Sequence, residues 1–436
     1  MRLPSAVSRH VPALGVAALL LPALASAAPD QAGAAEVFAQ ARAICERDGG
    51  ALWGQSLCGP ILLVDYTDRS VVANVADAQG QLTAAGPVFV GTLPESVIVA
   101  NTPTQWSGVR WTQLLWPLPT DPAQRQVLIA HELFHRIQPA LKLTRNEVGN
   151  RHLDTLDGRY LLQLEWRALA RALQASTPEQ RRAAVTDAML FRHERQRLFP
   201  DAAREEGQLE INEGVPEYTG VRLGLSDPRE RIAYAVHDLS AFVAAPTFVR
   251  SFAYASGPAY GLLLDESDPA WRGKLQSDQR LDQLLSAAMA LPAPDPAQLK
   301  ARIAQYDDGA LRTAEELRDN AKRKRLAEFK ARLVDGPVLI VPLKKTNRQF
   351  NPQTLQPLGE LGMVYPTMRL TGEWGALQVD SGGALLTEAR ATVSATGMNP
   401  ATVAGDGWKL DLAPGWTVQP GERAGDLIVM PKPSAP

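Results

Sequence analysis

Between residues 61 and 116, apolar and polar positions alternate in short runs broken by turn residues. This period of two predicts strands at 61–66, 71–75, 87–90, 97–100 and 109–115, which together make a small sheet. At Thr120-Asp121-Pro122 the pattern changes. An N-cap followed by Pro at the first helical position predicts a helix from Pro122 to near Gln138, ahead of Pro139. Apolar spacings of three and four then predict helices at 159–175, 178–198, 227–244, 258–265, 278–291 and 310–334. The last carries Lys322-Arg323-Lys324-Arg325, read as a solvated face. After Asp335-Gly336-Pro337 the period returns to two at 338–341, 368–370, 376–379, 408–412 and 427–430, with Gly-rich turns between. The expected fold is α+β: a small N-terminal β-sheet packed with a mainly helical domain, then a C-terminal all-β domain. The parts are placed at 28–118, 119–335 and 336–436.

The first 27 residues follow a different rule. Arg2 and Arg9 precede an apolar run at 11–24, and Ala25-Ser26-Ala27 presents small residues where a signal peptidase reads them. Residues 1–27 are therefore expected to be a removed export signal, with a periplasmic or extracellular product. The run is too short to span a membrane and holds Pro12 and Pro22; no later stretch offers ~18 uncharged apolar residues, so no membrane span is expected. Export makes Cys45 and Cys58 candidates for a disulfide, with two free buried thiols as the alternative. With only two cysteines in 436 residues, a disulfide-built scaffold and a four-cysteine zinc site are excluded. Lys plus Arg number 45 against 47 Asp plus Glu, so the net charge of -2 gives no support to a nucleic-acid partner.

Chemistry concentrates in the helix that begins at Pro122. It reads Leu128-Ile129-Ala130-His131-Glu132-Leu133-Phe134-His135, an HExxH pattern. Residues four apart lie above one another on a helix, so the imidazoles of His131 and His135 can converge on one ion. Glu132 sits one position round, where a carboxylate can act as general base toward water at that ion. Zinc suits such a site because imidazole nitrogen is a good ligand for it, and a catalytic ion takes three protein ligands and keeps one position open. The apolar neighbours predict a buried helix, where bare imidazoles need partners. Arg136 departs from the zincin pattern, which has an uncharged residue after the second His.

A third ligand must come from elsewhere. The metzincin Gly and His would fall at Gln138 and Leu141, so that subclass is excluded and a carboxylate is expected. Two segments compete, Leu164-Glu165-Trp166 and Asn212-Glu213-Gly214-Val215-Pro216-Glu217-Tyr218. The second resembles the Asn-Glu-Gly segment of gluzincin metallopeptidases, the group of thermolysin and the aminopeptidase N-like enzymes. That resemblance implies Glu213 as third zinc ligand, with Glu165 left as the alternative. It also implies that Glu217, one turn on, accepts a hydrogen bond from a ligating imidazole, a place held by Asp in thermolysin-like enzymes. Pro216 is tolerated only in a first helical turn or at a kink. Further on, Tyr254-Ala255-Ser256-Gly257 resembles the Tyr-x-x-Gly of aminopeptidase N-like gluzincins. There the Tyr hydrogen-bonds the developing oxyanion, which implies Tyr254 here; Ser256 stands where those enzymes commonly have Lys. His152 is a weaker candidate proton donor, read as a turn histidine beside Asp154.

The function expected is that of an exported metallopeptidase with one Zn2+ per chain, acting on a peptide or protein substrate, with Glu132 and Tyr254 catalytic. The absence of an acidic motif for a free α-amine leans toward endopeptidase. Two alternatives stand beside it. One is a catalytically inactive zincin-like protein that binds through its C-terminal β domain. The other is a hydrolase of a non-peptide amide or ester.

Overall fold

The structure, a computed structural model, describes residues 30–144, 149–351 and 354–432. The expected export signal at 1–27 lies outside the described residues. Among them no helix is long and apolar enough to cross a membrane. The fold is α+β, with a six-stranded N-terminal sheet, a mainly helical middle and a C-terminal β region of two sheets. The chain forms two compact units, residues up to 144 with 216–231, and 145–215 with 232–436.

The first unit opens with α1 (Gln31–Asp48), capped by the Asp30 carboxylate on Gly33 N and ended by Gly49 in the left-handed region. Its sheet comprises β1 (Ile61–Asp65), β2 (Ser70–Ala73), β3 (Thr83–Ala85), β4 (Val88–Thr92), β5 (Thr102–Trp106) and β6 (Val109–Trp116). The order is β3-β4-β2-β1-β6-β5. Central β1, parallel to β6 and antiparallel to β2, is buried along its whole length, which is why it reads as a continuous apolar run. The expected strand at 97–100 is not one. Val97 and Val99 pack against the sheet core from a loop, and the edge is instead polar β5, where Pro103 is tolerated because an edge strand has a free side. Then α2 (Pro122–Ile137) starts where expected, with the Asp121 side chain accepting from Gln124 N and Pro122 in the first turn.

The second unit holds most of the helices: α3 (Leu156–Leu173), α4 (Pro178–Leu198) and α5 (Ala202–Leu209). A π turn, Glu210–Gly214, joins α5 to α6 (Val215–Gly224). In it Val215 N donates to Glu210 O, five residues back, directly before Pro216. A proline without N–H is accommodated where the helical register already changes. There follow α7 (Pro228–Ala241), α8 (Ser251–Ser267), α9 (Trp271–Lys274), α10 (Leu281–Ala288), α11 (Leu299–Tyr306) and α12 (Ala310–Lys330). The helix expected at 258–265 begins seven residues earlier: Pro258 lies inside α8 and leaves Tyr254 C=O without its usual i+4 donor.

In the C-terminal region two sheets share one core. The first has the order β17-β18-β7-β14-β13-β10-β9 and the second β15-β16-β12-β11-β8. The strands are β7 (Val338–Pro342), β8 (Asn347–Gln349), β9 (Gln356–Pro357), β10 (Met363–Tyr365), β11 (Met368–Gly372) and β12 (Gly375–Val379). After them come β13 (Ala384–Leu386), β14 (Arg390–Ser394), β15 (Ala404–Gly405), β16 (Trp408–Leu412), β17 (Trp416–Pro420) and β18 (Leu427–Pro431). Leu339, Val341 and Val393 of one sheet meet Leu370, Leu377 and Leu410 of the other, all almost fully out of water. This alternation of inward and outward residues is the period-two signal of the sequence.

Candidate metal centre

In the first unit α2 and α6 touch backbone to backbone. A Cβ on Gly220 would stand 2.7 Å from Val127 O, and one on Gly224 would stand 2.8 Å from Gln126 C and Val127 N. Two glycines a turn apart thus let α6 lie against α2, and one turn along each helix the approach brings Glu217 to His131. A second brace comes from the loop after α1, where Cys45 and Cys58 form a disulfide with Cα atoms 5.2 Å apart. Within that loop Trp53 donates to Thr219 Oγ1 of α6 at 3.0 Å, and its ring lies 5.0 Å from Phe134 of α2. Arg136, the departure from the zincin pattern, reaches back to the same loop and donates to Leu57 O and Cys58 O.

The imidazoles are oriented from behind. His131 Nδ1 is 2.6 Å from Glu217 Oε2, and the pair is almost fully buried, at 4% and 13% exposure. His135 Nδ1 is 2.8 Å from Gln138 Oε1. Gln138 Nε2 donates to Leu143 O, which turns its amide oxygen toward the histidine. Both Nδ1 atoms therefore carry the proton, and both Nε2 atoms present lone pairs to each other at 2.9 Å. Lone pairs at that separation repel unless a cation lies between them or one ring is protonated. Sequence reasoning missed the part of Gln138; its offset of three from His135 was visible, the anchor at Leu143 was not.

The carboxylate comes from the π turn. His131, His135 and Glu213 each offer a ligand atom, all within 4.8 Å of one another, and this buried His-His-Glu group could hold a metal ion. Two imidazole nitrogens and a carboxylate oxygen suit zinc and similar borderline divalent ions. In the second unit Glu213 Oε2 accepts from Tyr254 Oη at 2.7 Å, and Oε1 accepts from Arg250 Nη2 at 3.1 Å. Arg250 is half exposed and was not singled out in the sequence. Tyr254 reaches Glu213 because α8 crosses the π turn at two glycines: a Cβ on Gly214 would sit 3.2 Å from Gly257 Cα, and one on Gly257 would overlap the Gly214 backbone. The two motifs, Asn-Glu-Gly and Tyr-x-x-Gly, thus meet through their glycines.

Glu165 is engaged elsewhere. It is fully buried, pairs with Arg195 Nη2 at 2.6 Å and Arg192 Nη1 at 3.3 Å, and accepts from Tyr260 Oη at 2.6 Å. Around it Glu206 binds Arg195 through two hydrogen bonds and Glu210 binds Arg192 likewise. His152 belongs to this cluster too, with Nε2 2.8 Å from Glu206 Oε1. Burial alone would push the Glu206 carboxyl up, but the Arg195 guanidinium, helped by His152 and Arg192, holds it well below the usual carboxylate range. For Glu210 burial outweighs Arg192, and its carboxyl is pushed up to about 7.

Against protein-family models, curated proteins and solved structures, the chain matches none.

Proposed function

We propose that the protein is an exported zinc-dependent metallopeptidase that holds one Zn2+ through His131, His135 and Glu213. The observation that carries this reading is the convergence of two Nε2 lone pairs beside a carboxylate, with both Nδ1 protons taken up by fixed acceptors. A divalent ion held there supplies Lewis acidity, polarising a scissile carbonyl and lowering the pKa of a nearby water to about 7. Glu217 and Gln138 hold the Nδ1 protons and keep the rings aimed. Glu132, next to His131 and buried on the same helix, takes a proton from the attacking water and returns it to the leaving amine. Tyr254 Oη, placed at the Glu213 carboxylate, donates to the oxygen on which negative charge develops. Export is supported by the Cys45–Cys58 disulfide, and the parts at 28–118, 119–335 and 336–436 remain our division of the chain.

The test combines metal analysis with cleavage of a mixed peptide library, with and without chelator. Expected are one zinc per chain, cleavage abolished by chelation, and a Glu132→Gln variant that keeps its metal while losing ~100-fold or more in hydrolysis. Protein purified mildly and found repeatedly without a divalent metal would overturn the reading. So would a Glu132→Gln variant as active as the wild type.

A further inference from the structure

The seven-stranded sheet buries one face in the shared core and turns the alternate residues of the same strands the other way. On that second face Ile340, Thr392, Leu385 and Ile428 lie in a groove of about 850 Å³, lined also by Leu333 and Val334 from the turn after α12. The volume falls in the range of small-molecule sites, about 300–1,000 Å³.

Two features narrow the occupant. First, the floor offers a ligand almost no hydrogen bonds. β18, β7, β14 and β13 are interior strands whose backbone groups pair with each other. The hydroxyls of Thr392 and Thr387 donate to Leu333 O and Arg390 O. A peptide laid here would bury N–H and C=O groups without partners, at about 1–3 kcal/mol each, whereas an alkyl chain carries no such cost. Second, charge is distributed unevenly. At one end Arg423 is spent on Asp426 and on the carbonyls of Val334 and Asp335, and Asp426 also accepts from Val338 N. That end is neutralised internally, with exposed Glu422 beside it. At the other end of β14, opposite Pro342, the exposed Arg390 guanidinium makes no hydrogen bond or ion pair among the described residues. One cation without a partner stands at the end of an apolar trough.

We propose that this groove binds a single-chain amphiphile with a carboxylate head, a fatty acid by class. The alkyl chain lies over Ile340 and Ile428 and the head pairs with Arg390. The proposal is independent of the metal site.

The test titrates laurate and dodecanol into the full chain, below their micellar and solubility limits, with displacement of a fluorescent anilinonaphthalene probe as readout. Expected is one laurate site with a dissociation constant below about 100 μM, a tail-dominated affinity. Arg390→Gln, an exposed substitution, weakens laurate about two- to fivefold and leaves dodecanol unchanged. Ile428→Trp, filling the trough, weakens both by about tenfold or more, with circular dichroism confirming that each variant is folded. No laurate binding up to about 1 mM would overturn the proposal. So would binding indifferent to both substitutions, an apolar peptide that binds where laurate does not, or a dimer in solution that Ile428→Trp dissociates.

Discussion

The hydrogen bond between His131 Nδ1 and Glu217 gives the sharpest quantitative test of the metal centre. At 2.6 Å, with both side chains nearly out of water, it is a charge-assisted bond worth about 1.5–3 kcal/mol, against about 1 kcal/mol for a neutral one. Removing the carboxylate with Glu217→Ala lets the imidazole turn and lowers the basicity of its Nε2, so zinc affinity should fall about 10- to 100-fold. Glu217→Gln keeps an oxygen that can accept from Nδ1 but loses the charge. Its cost should be the difference, about 1 kcal/mol, or roughly fivefold. The assay is competition against a chromophoric chelator at fixed pH and salt, with thermal melts run in parallel, and with His131→Ala as the reference for loss of a ligand. The order expected is wild type, then Gln, then Ala, with His131→Ala weakest. If Glu217→Ala holds zinc as tightly as the wild type while His131→Ala does not, the carboxylate does not support a ligand and the argument fails.

Other outcomes follow from separate parts of the structure. Tyr254→Phe should lower kcat by ~10- to 1,000-fold with KM and metal content nearly unchanged; a loss seen only in melting temperature would make Tyr254 a structural donor to Glu213. Gly257→Ala should destabilise the fold by about 1–3 kcal/mol or more, because the new methyl overlaps the Gly214 backbone. In an open helix the same change would stabilise by about 1 kcal/mol, so a raised melting temperature refutes the crossing. The Glu206 carboxyl lies below its ordinary value of 4.5, so the unfolded chain binds its proton first. Its contribution is present above that value and lost as pH falls through the acid range. The melting-temperature gap between wild type and Glu206→Gln should therefore be widest near pH 7 and shrink toward pH 3; a gap independent of pH would exclude an ionised Glu206.

Features of the chain that depend on neighbours in sequence were legible, and those that depend on distant partners were not. Asp121 and Pro122 mark the start of α2 because a cap and a first-turn proline act within four residues. The facing of His131 and His135 follows from helical spacing alone. That Glu213 and not Glu165 offers the carboxylate beside them does not. It depends on Arg192 and Arg195 of α4 arriving to neutralise Glu165, and no local pattern announces that. Nor could the polar edge strand β5 be read from hydrophobic alternation, since a strand with one neighbour and a solvated side need not be apolar. Pro258 misled in the opposite way, as a proline usually opens a helix and here sits in its interior.

The crossing of α8 over the π turn ties two distant stretches of the gene together. Gly214 and Gly257 each occupy the space the other would need for a side chain, so neither can be exchanged while the second stays as it is without prising Tyr254 away from Glu213. Drift at one position is therefore blocked by the state of the other, and in any lineage descended from this chain the two codons should be held or released as a pair. A library randomised at both positions and selected for folded protein would display this directly, as joint enrichment of glycine rather than independent tolerance at each site.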